Sequence, residues 1–99
     1  MDLQGASGAT YRFRNWSDVG RTPMAGNFVV LAAGPGKSVV EMAGVVDDLS
    51  RADVVVGEAG LPTDRLYIRL NVSRGTREAE HLDIIAEHAP AKVVGPKQA

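Results

Sequence analysis

The chain has 99 residues, enough for one domain with a single hydrophobic core, and this length excludes a second domain. Its 44% hydrophobic and 23% charged residues are typical of a folded protein, and its formal net charge of −1 gives no general attraction to nucleic acid or membranes. Because the chain has no cysteine, disulfides and thiolate chemistry are excluded.

The sequence has no recognisable targeting or membrane segment. No apolar run approaches the roughly 20 residues that a membrane span needs. The N-terminus lacks the basic and apolar regions of a signal peptide. We therefore expect a cytoplasmic protein with no membrane partner.

The N-terminal region changes character after its tenth residue. Residues 1–10 are small and polar, which predicts a disordered segment. The next six residues, YRFRNW, alternate apolar and basic side chains and hold three of the five aromatic residues. This pattern predicts a short strand or extended arm that packs Tyr11, Phe13 and Trp16 on the core.

Two apolar runs flank a Pro-Gly segment in the middle of the chain, and the second run has two interpretations. Residues 28–32 form a continuous apolar run, which is typical of a strand that is covered on both faces, and we predict a strand over residues 26–33. The following residues form either a strand at 38–45 and a helix at 47–58, or one helix from Ser38 followed by a strand at 54–56. The apolar period slightly favours the single helix, which would make a βαβ unit.

The βαβ interpretation would place the segment GPGKS where a phosphate-binding loop lies. A Walker A loop needs Gly, four residues, and then Gly-Lys-Ser/Thr. The position five before Gly36 is Leu31, so the loop is too short to surround phosphates. The segment is better interpreted as a Pro-Gly turn between two strands.

The C-terminal half has clearer signals. Residues 65–70 alternate strictly between apolar and polar or aromatic side chains, which predicts a third strand. Residues 76–89 have apolar side chains at helical spacing, acidic residues near the start and a proline just after the end, which predicts a helix. Residues 91–99 are expected to form a loose tail.

Several segments together resemble one known family. They are the aromatic arm, GNF at 26–28, MAG at 42–44, the acidic-Leu start of the first helix, the third strand with its terminal Asn71, and DIIAEHAP at 83–90. They are similar to the GIY-YIG nuclease superfamily, with GNF in the place of GIY and MAG in the place of YIG, and the resemblance covers residues 11–90. It implies a small α+β domain with a β-hairpin and a third strand in one sheet and flanking helices. It also favours the strand at 38–45.

The family's catalytic side chains are replaced in this chain. The resemblance places Phe28 and Met42 at the two tyrosine positions, Ala52 at the arginine position and His81 at the position of the metal-binding glutamate. Phe and Met have no proton to transfer, Ala has no charge, and His is a poor ligand for Mg²⁺. His81 and His88 would lie about 10 Å apart along a helix, too far to bind one zinc ion. We expect no catalytic residue, no metal site and no cofactor, and a DNA endonuclease with a rearranged site is the weakest interpretation.

The charges are distributed unevenly, with a balance of −4 over residues 41–58 and +4 over residues 65–77. If the apolar side chains of the third strand face the core, its polar side chains face away from it. The predicted binding patch consists of Arg65, Tyr67, Arg69, Arg74 and Arg77. We expect a non-catalytic protein-interaction or structural module, with an acidic protein partner ahead of nucleic acid because the chain has no basic excess.

Overall fold

The computed structural model describes residues 1–19, 22–33 and 39–95. Within these residues the fold is a small α+β domain with a mixed five-stranded sheet, a two-stranded hairpin and three α-helices. The strands are β1 (Asp2–Gln4), β2 (Thr10–Arg12), β3 (Arg14–Asn15), β4 (Gly26–Leu31), β5 (Val40–Val46), β6 (Leu66–Leu70) and β7 (Lys92–Val94). The helices are α1 (Trp16–Val19), α2 (Ala52–Glu58) and α3 (Arg74–His88), and a 3₁₀ turn (Leu49–Arg51) precedes α2. The predicted fold class is confirmed.

The main sheet has the strand order β3-β6-β4-β5-β7 in the described part of the chain. All neighbouring strands are antiparallel except β5 and β7, which are parallel. The register places Phe28 of β4 opposite Gly44 of β5 and Ile68 of β6. Every residue of β4 is buried because this strand is central and covered on both faces, which explains its continuous apolar run.

The strand-then-helix interpretation of the middle of the chain is confirmed. Val40–Val46 forms β5, and residues 54–56 lie within α2, so the βαβ alternative is wrong. Helical periodicity gave the opposite indication because side chains on both faces of β5 are buried, and a two-sided apolar run also matches helical spacing. The Pro-Gly turn predicted at 34–37 and Ser38 lie outside the described residues.

Each face of the sheet has its own apolar layer. Alternation along β4 sends Phe28 and Val30 into one layer and Val29 and Leu31 into the other. The first layer packs against α2 and the 3₁₀ turn, and its other buried residues are Met42, Leu49, Ala52, Val56, Leu66 and Ile68. The second layer packs against α3 and the N-terminal hairpin, and its other buried residues are Leu3, Phe13, Val40, Ala43 and Ile84.

The aromatic arm packs on the core as predicted, but it contributes to both layers. Phe13 is fully buried in the second layer, and Tyr11 is partly buried against the same layer. Trp16, at the start of α1, packs against the first layer instead. The arm therefore crosses the edge of the sheet.

The segments predicted to be a disordered N-terminus and a loose C-terminal tail contain strands within the described residues. Residues 1–10 contain β1, a turn and the start of β2, and Leu3 is buried in the second layer. In the predicted tail, Lys92–Val94 forms β7 along the outer edge of β5. Both segments cover parts of the sheet that would otherwise be open to water. Leu3 contributes an apolar side chain to the second layer, and β7 supplies backbone hydrogen bonds to the outer edge of β5.

Asp83 of α3 holds the N-terminal hairpin through its carboxylate. The carboxylate accepts hydrogen bonds from the Ser7 amide at 2.8 Å, the Ser7 hydroxyl at 2.7 Å and the Tyr11 phenol at 2.6 Å. The hydrogen bonds from Tyr11 and Ser7 lower the pKa of Asp83, whereas burial and then the bond to Asp83 raise the pKa of Tyr11. Farther along the helix, His88 donates to the Gln4 carbonyl at 2.7 Å. The hairpin is therefore tied to the helix at two points.

The close approach at Gly26 predicts a stability difference between two glycines. A β-carbon at position 26 would collide with the Arg69 carbonyl oxygen and lie 2.7 Å from Leu49 Cδ1, whereas one at Gly57 in α2 would meet open space. We expect Gly26→Ala to lower the free energy of unfolding by about 2–3 kcal/mol through this overpacking. The control Gly57→Ala should raise it by roughly 0.5 kcal/mol, since alanine favours a helix. Urea unfolding measures both, and equal values for the two variants would contradict the packing at Gly26.

The contacts of Asp83 predict a pH-dependent contribution to stability. Because the pKa of folded Asp83 lies below its ordinary value of 3.8, its stabilisation is complete above that value and is lost as pH falls through the lowered pKa. We expect Asp83→Asn to unfold at a lower temperature than the wild type at neutral pH, with the difference shrinking in acid. Thermal unfolding followed by circular dichroism measures this. Asp64→Asn, at an exposed loop carboxylate, is the control, and a difference for Asp83→Asn that is constant with pH would contradict the assignment.

Candidate functional site

The four positions at which the resemblance places altered catalytic residues do not form one site. Phe28, Met42 and Ala52 are at most 2% exposed and pack together in the first apolar layer. His81 is 1% exposed and lies on α3, which covers the opposite face of the sheet. The sheet therefore separates His81 from the other three positions, and none of the four is open to solvent.

The predicted binding patch does not form one exposed surface. Tyr67 and Arg69 face the second apolar layer, because α3 and the N-terminal hairpin cover the face of β6 that was expected to be solvated. Tyr67 is partly buried against this layer. Arg69 donates to Glu80 at 2.8 Å, and its guanidinium carbon lies 5.5 Å from the centre of the Tyr11 ring. Arg69 is thus partly buried and held by contacts within the fold.

The other arginines of the patch are in three different situations. Arg77 is 7% exposed, and its guanidinium lies 3.6 Å from the carboxylate of Asp47. Arg74 is exposed and donates to Glu78 at 2.9 Å, a contact that raises the pKa of Arg74. The side chain of Arg65 is partly buried and makes no hydrogen bond or ion pair within the described ranges. The five residues therefore do not act as one charged surface.

A polar network joins the sheet to α3. Asn71, just after β6, donates to Asn27 Oδ1 and to Glu80 Oε1, both at 2.9 Å. Asn27, which is 1% exposed in the central strand, donates to the carbonyl of Arg77 at 2.9 Å. Glu80 also accepts from Arg69 at 2.8 Å. The network gives the buried Asn27 the hydrogen-bond partners that a buried polar group requires, while Asn71, Glu80 and Arg69 are partly buried.

Asn27 was overlooked as a key residue because it stands inside a family-like motif. The available signal was a single amide in an otherwise apolar run that predicts a strand buried on both faces. A polar side chain at such a position needs a buried partner. Which partner it finds depends on Asn71, 44 residues away, and no local pattern shows that pairing.

An open groove of about 510 Å³ lies where β5 ends and α3 begins. Its walls include valines together with three arginines and three acidic residues: Arg51, Arg74, Arg77, Asp47, Asp48 and Glu78. Asp48 accepts from the amide and hydroxyl of Ser50 and so begins the 3₁₀ turn, and the bond from the Ser50 hydroxyl lowers the pKa of Asp48. Three positive against three negative groups leave the lining without net charge.

The same end of the sheet exposes three large apolar side chains. Met24, Leu70 and Val72 are 44%, 54% and 56% exposed. Leu70 pairs with Gly26, and the Asn71 amide donates to the carbonyl of Ala25, so continuation of this register places Met24 opposite Val72. We call Met24, Leu70 and Val72 the apolar rim.

An apolar recess adjoins the rim. It has a volume of about 120 Å³ and is lined by Leu70 itself together with Arg14, Val19, Thr22, Leu49 and Ile68. The lining comes from β3, from α1 and the segment after it, from the 3₁₀ turn and from β6, which meet on the α2 side of the sheet. A projecting apolar side chain and a hollow of side-chain size therefore lie next to each other.

In comparisons with known proteins, no protein-family model, curated protein or solved structure matches this chain. Among the described residues, no group of three or more histidine or acidic side chains is placed to hold a metal ion. None of the described helices is long and apolar enough to cross a bilayer.

The polar network predicts a large stability cost at Asn71. Asn71→Ala leaves the buried Asn27 Oδ1 without a donor and removes one of the two donors of the partly buried Glu80, so we expect a loss of about 2 kcal/mol in the free energy of unfolding. Ser73→Ala is the matched control, because the exposed Ser73 hydroxyl makes no capping hydrogen bond to α3. Chemical denaturation of both variants measures the difference. A cost at position 71 no larger than that at position 73 would contradict the network.

Proposed function

We propose that this protein is a non-catalytic, GIY-YIG-like interaction domain that binds a protein through the apolar rim and the adjoining recess. The observation that carries the proposal is the convergence of three exposed apolar side chains on one end of the sheet beside an apolar hollow. Scattered exposed apolar residues are normal on a protein surface, but a group that adjoins a recess is typical of an interaction site. Burial of such side chains would supply the binding free energy.

The arginines support a protein partner ahead of nucleic acid. Arg69, Arg74 and Arg77 already have carboxylates within ion-pair distance, and two of these arginines are substantially buried. A nucleic-acid phosphate would have to displace those carboxylates to reach the guanidinium groups. The net charge of −1 adds no long-range attraction for a polyanion.

The buried family positions support a function without hydrolysis. Phe28, Met42 and Ala52 contribute to the first apolar layer and do not reach the surface. A phosphodiester would find there neither a group to transfer a proton nor a cation to stabilise the developing charge. The proposal therefore uses the resemblance to nucleases for the fold and not for a catalytic activity.

Site-specific photo-crosslinking tests the proposed surface. A photoreactive phenylalanine analogue replaces Val72 in the rim or, as the control, Val54, which is 43% exposed on α2. We expect a protein adduct at position 72 in cells, none at position 54, and loss of the adduct when Leu70→Asp is added. Mass spectrometry identifies the crosslinked chain. Equal adducts at both positions, or an adduct that nuclease digestion removes, would contradict a protein-binding rim.

A further inference from the structure

We infer that the protein bound at the rim is a second copy of this chain, related to the first by a two-fold axis. The inference rests on the proposed function and adds the identity of the partner. A two-fold contact brings the same patch of both copies together, so the patch must be complementary to itself. Two features of this end of the sheet meet that requirement.

The first feature is the position of a projection beside a hollow. Leu70 is 54% exposed and also forms one wall of the recess of about 120 Å³. An apolar cavity of about 150 Å³ holds a molecule the size of benzene, so this recess has room for one aliphatic side chain. When two copies meet face to face, Leu70 of each copy lies over the recess of the other. A single contact then fills the recess of each copy and buries Leu70 of each copy.

The second feature is the balance of charge next to the rim. The side chain of Arg74, two residues after Val72, is 81% exposed, and the side chain of Asp47 across the groove is fully exposed. A strongly acidic partner would meet repulsion from Asp47, and a strongly basic partner would meet it from Arg74. A second copy has the same three arginines and three acidic residues along its groove, so it brings no net charge against the groove of the first.

The overall charge of the chain is compatible with self-association. A net charge of −1 produces little repulsion between two copies at neutral pH. The rim provides three apolar side chains per copy, which is a small apolar centre compared with that of an obligate dimer. The contact should therefore be a reversible dimer with a dissociation constant in the micromolar range.

Analytical ultracentrifugation of the full chain, from low micromolar to near-millimolar concentration, tests the inference. We expect a monomer–dimer equilibrium in the wild type. Leu70→Asp should weaken association by about tenfold or more, which corresponds to about 1.4 kcal/mol. Val54→Asp makes the same change of charge on α2 and should leave the equilibrium unchanged. Circular dichroism confirms that both variants are folded.

A charge exchange tests whether the charged grooves of the two copies lie close together, without altering the apolar rim. Arg74→Glu should weaken the dimer, because it leaves two arginines against four acidic residues in the groove of each copy. Adding Glu78→Arg to the same chain should restore association, because it returns the groove to three positive and three negative residues and keeps an ion pair between positions 74 and 78. Restoration supports the two-fold contact. Equal weakening in the single and double variants would overturn it.

The crosslinking experiment separates failure of the inference from failure of the proposed function. A wild-type chain that is monomeric at every concentration, together with an adduct at position 72 to a different protein, overturns the inference and retains an interaction domain. A monomer with no adduct at position 72 overturns both. A dimer that Leu70→Asp leaves intact also overturns the inference, because the copies would then meet elsewhere.

Discussion

The hydrogen bonds of Asn71 determine how the sheet and α3 fit together. Its side-chain amide joins Asn27 of the central strand to Glu80 of the helix, and its backbone amide extends the pairing of β4 and β6 to Ala25. Leu70 and Val72 stand on either side of this residue in sequence. The position of the apolar rim therefore depends on the same atoms that attach the helix. Because Asn27 is buried, its side-chain oxygen would lose its donor if Asn71 moved, and this cost favours the observed position of Asn71.

Packing accounts for the residues at the positions where the resemblance would place catalytic side chains. Phe28 lies opposite Gly44 across the hairpin, and a β-carbon at Gly44 would come within 2.5 Å of the Phe28 ring. The ring therefore uses the space that the glycine leaves free, and Met42 and Ala52 pack into the same layer. A hydroxyl or guanidinium at these positions would need a buried partner. Gly44 thus has a packing role that is independent of catalysis.

The sequence predicted the elements better than the surfaces. The strict alternation of β6, the continuous run of β4 and the helical spacing of α3 are local patterns, and each element was found within two residues of its predicted bounds or inside them. Alternation shows which side chains share a face, but it does not show whether the second face is covered. That covering comes from α3 and from the N-terminal hairpin, whose β1 strand was not expected at all. For this reason alternation alone places Tyr67 and Arg69 in solvent, whereas Tyr67 packs against the second layer and Arg69 is partly buried beside it.

The attachment of the hairpin by Asp83 has a consequence for the order of folding during synthesis. Ser7 and Asp83 are 76 residues apart in the chain, and Leu3 and Phe13 pack in the layer that Ile84 completes. During synthesis the N-terminal hairpin leaves the ribosome long before α3 is made. The apolar side chains of the hairpin therefore cannot pack against α3 until that helix has been synthesised. Contacts of such long range slow folding and leave apolar surface exposed in the interim. The polar sequence around Ser7 should then help to keep the waiting hairpin from aggregating.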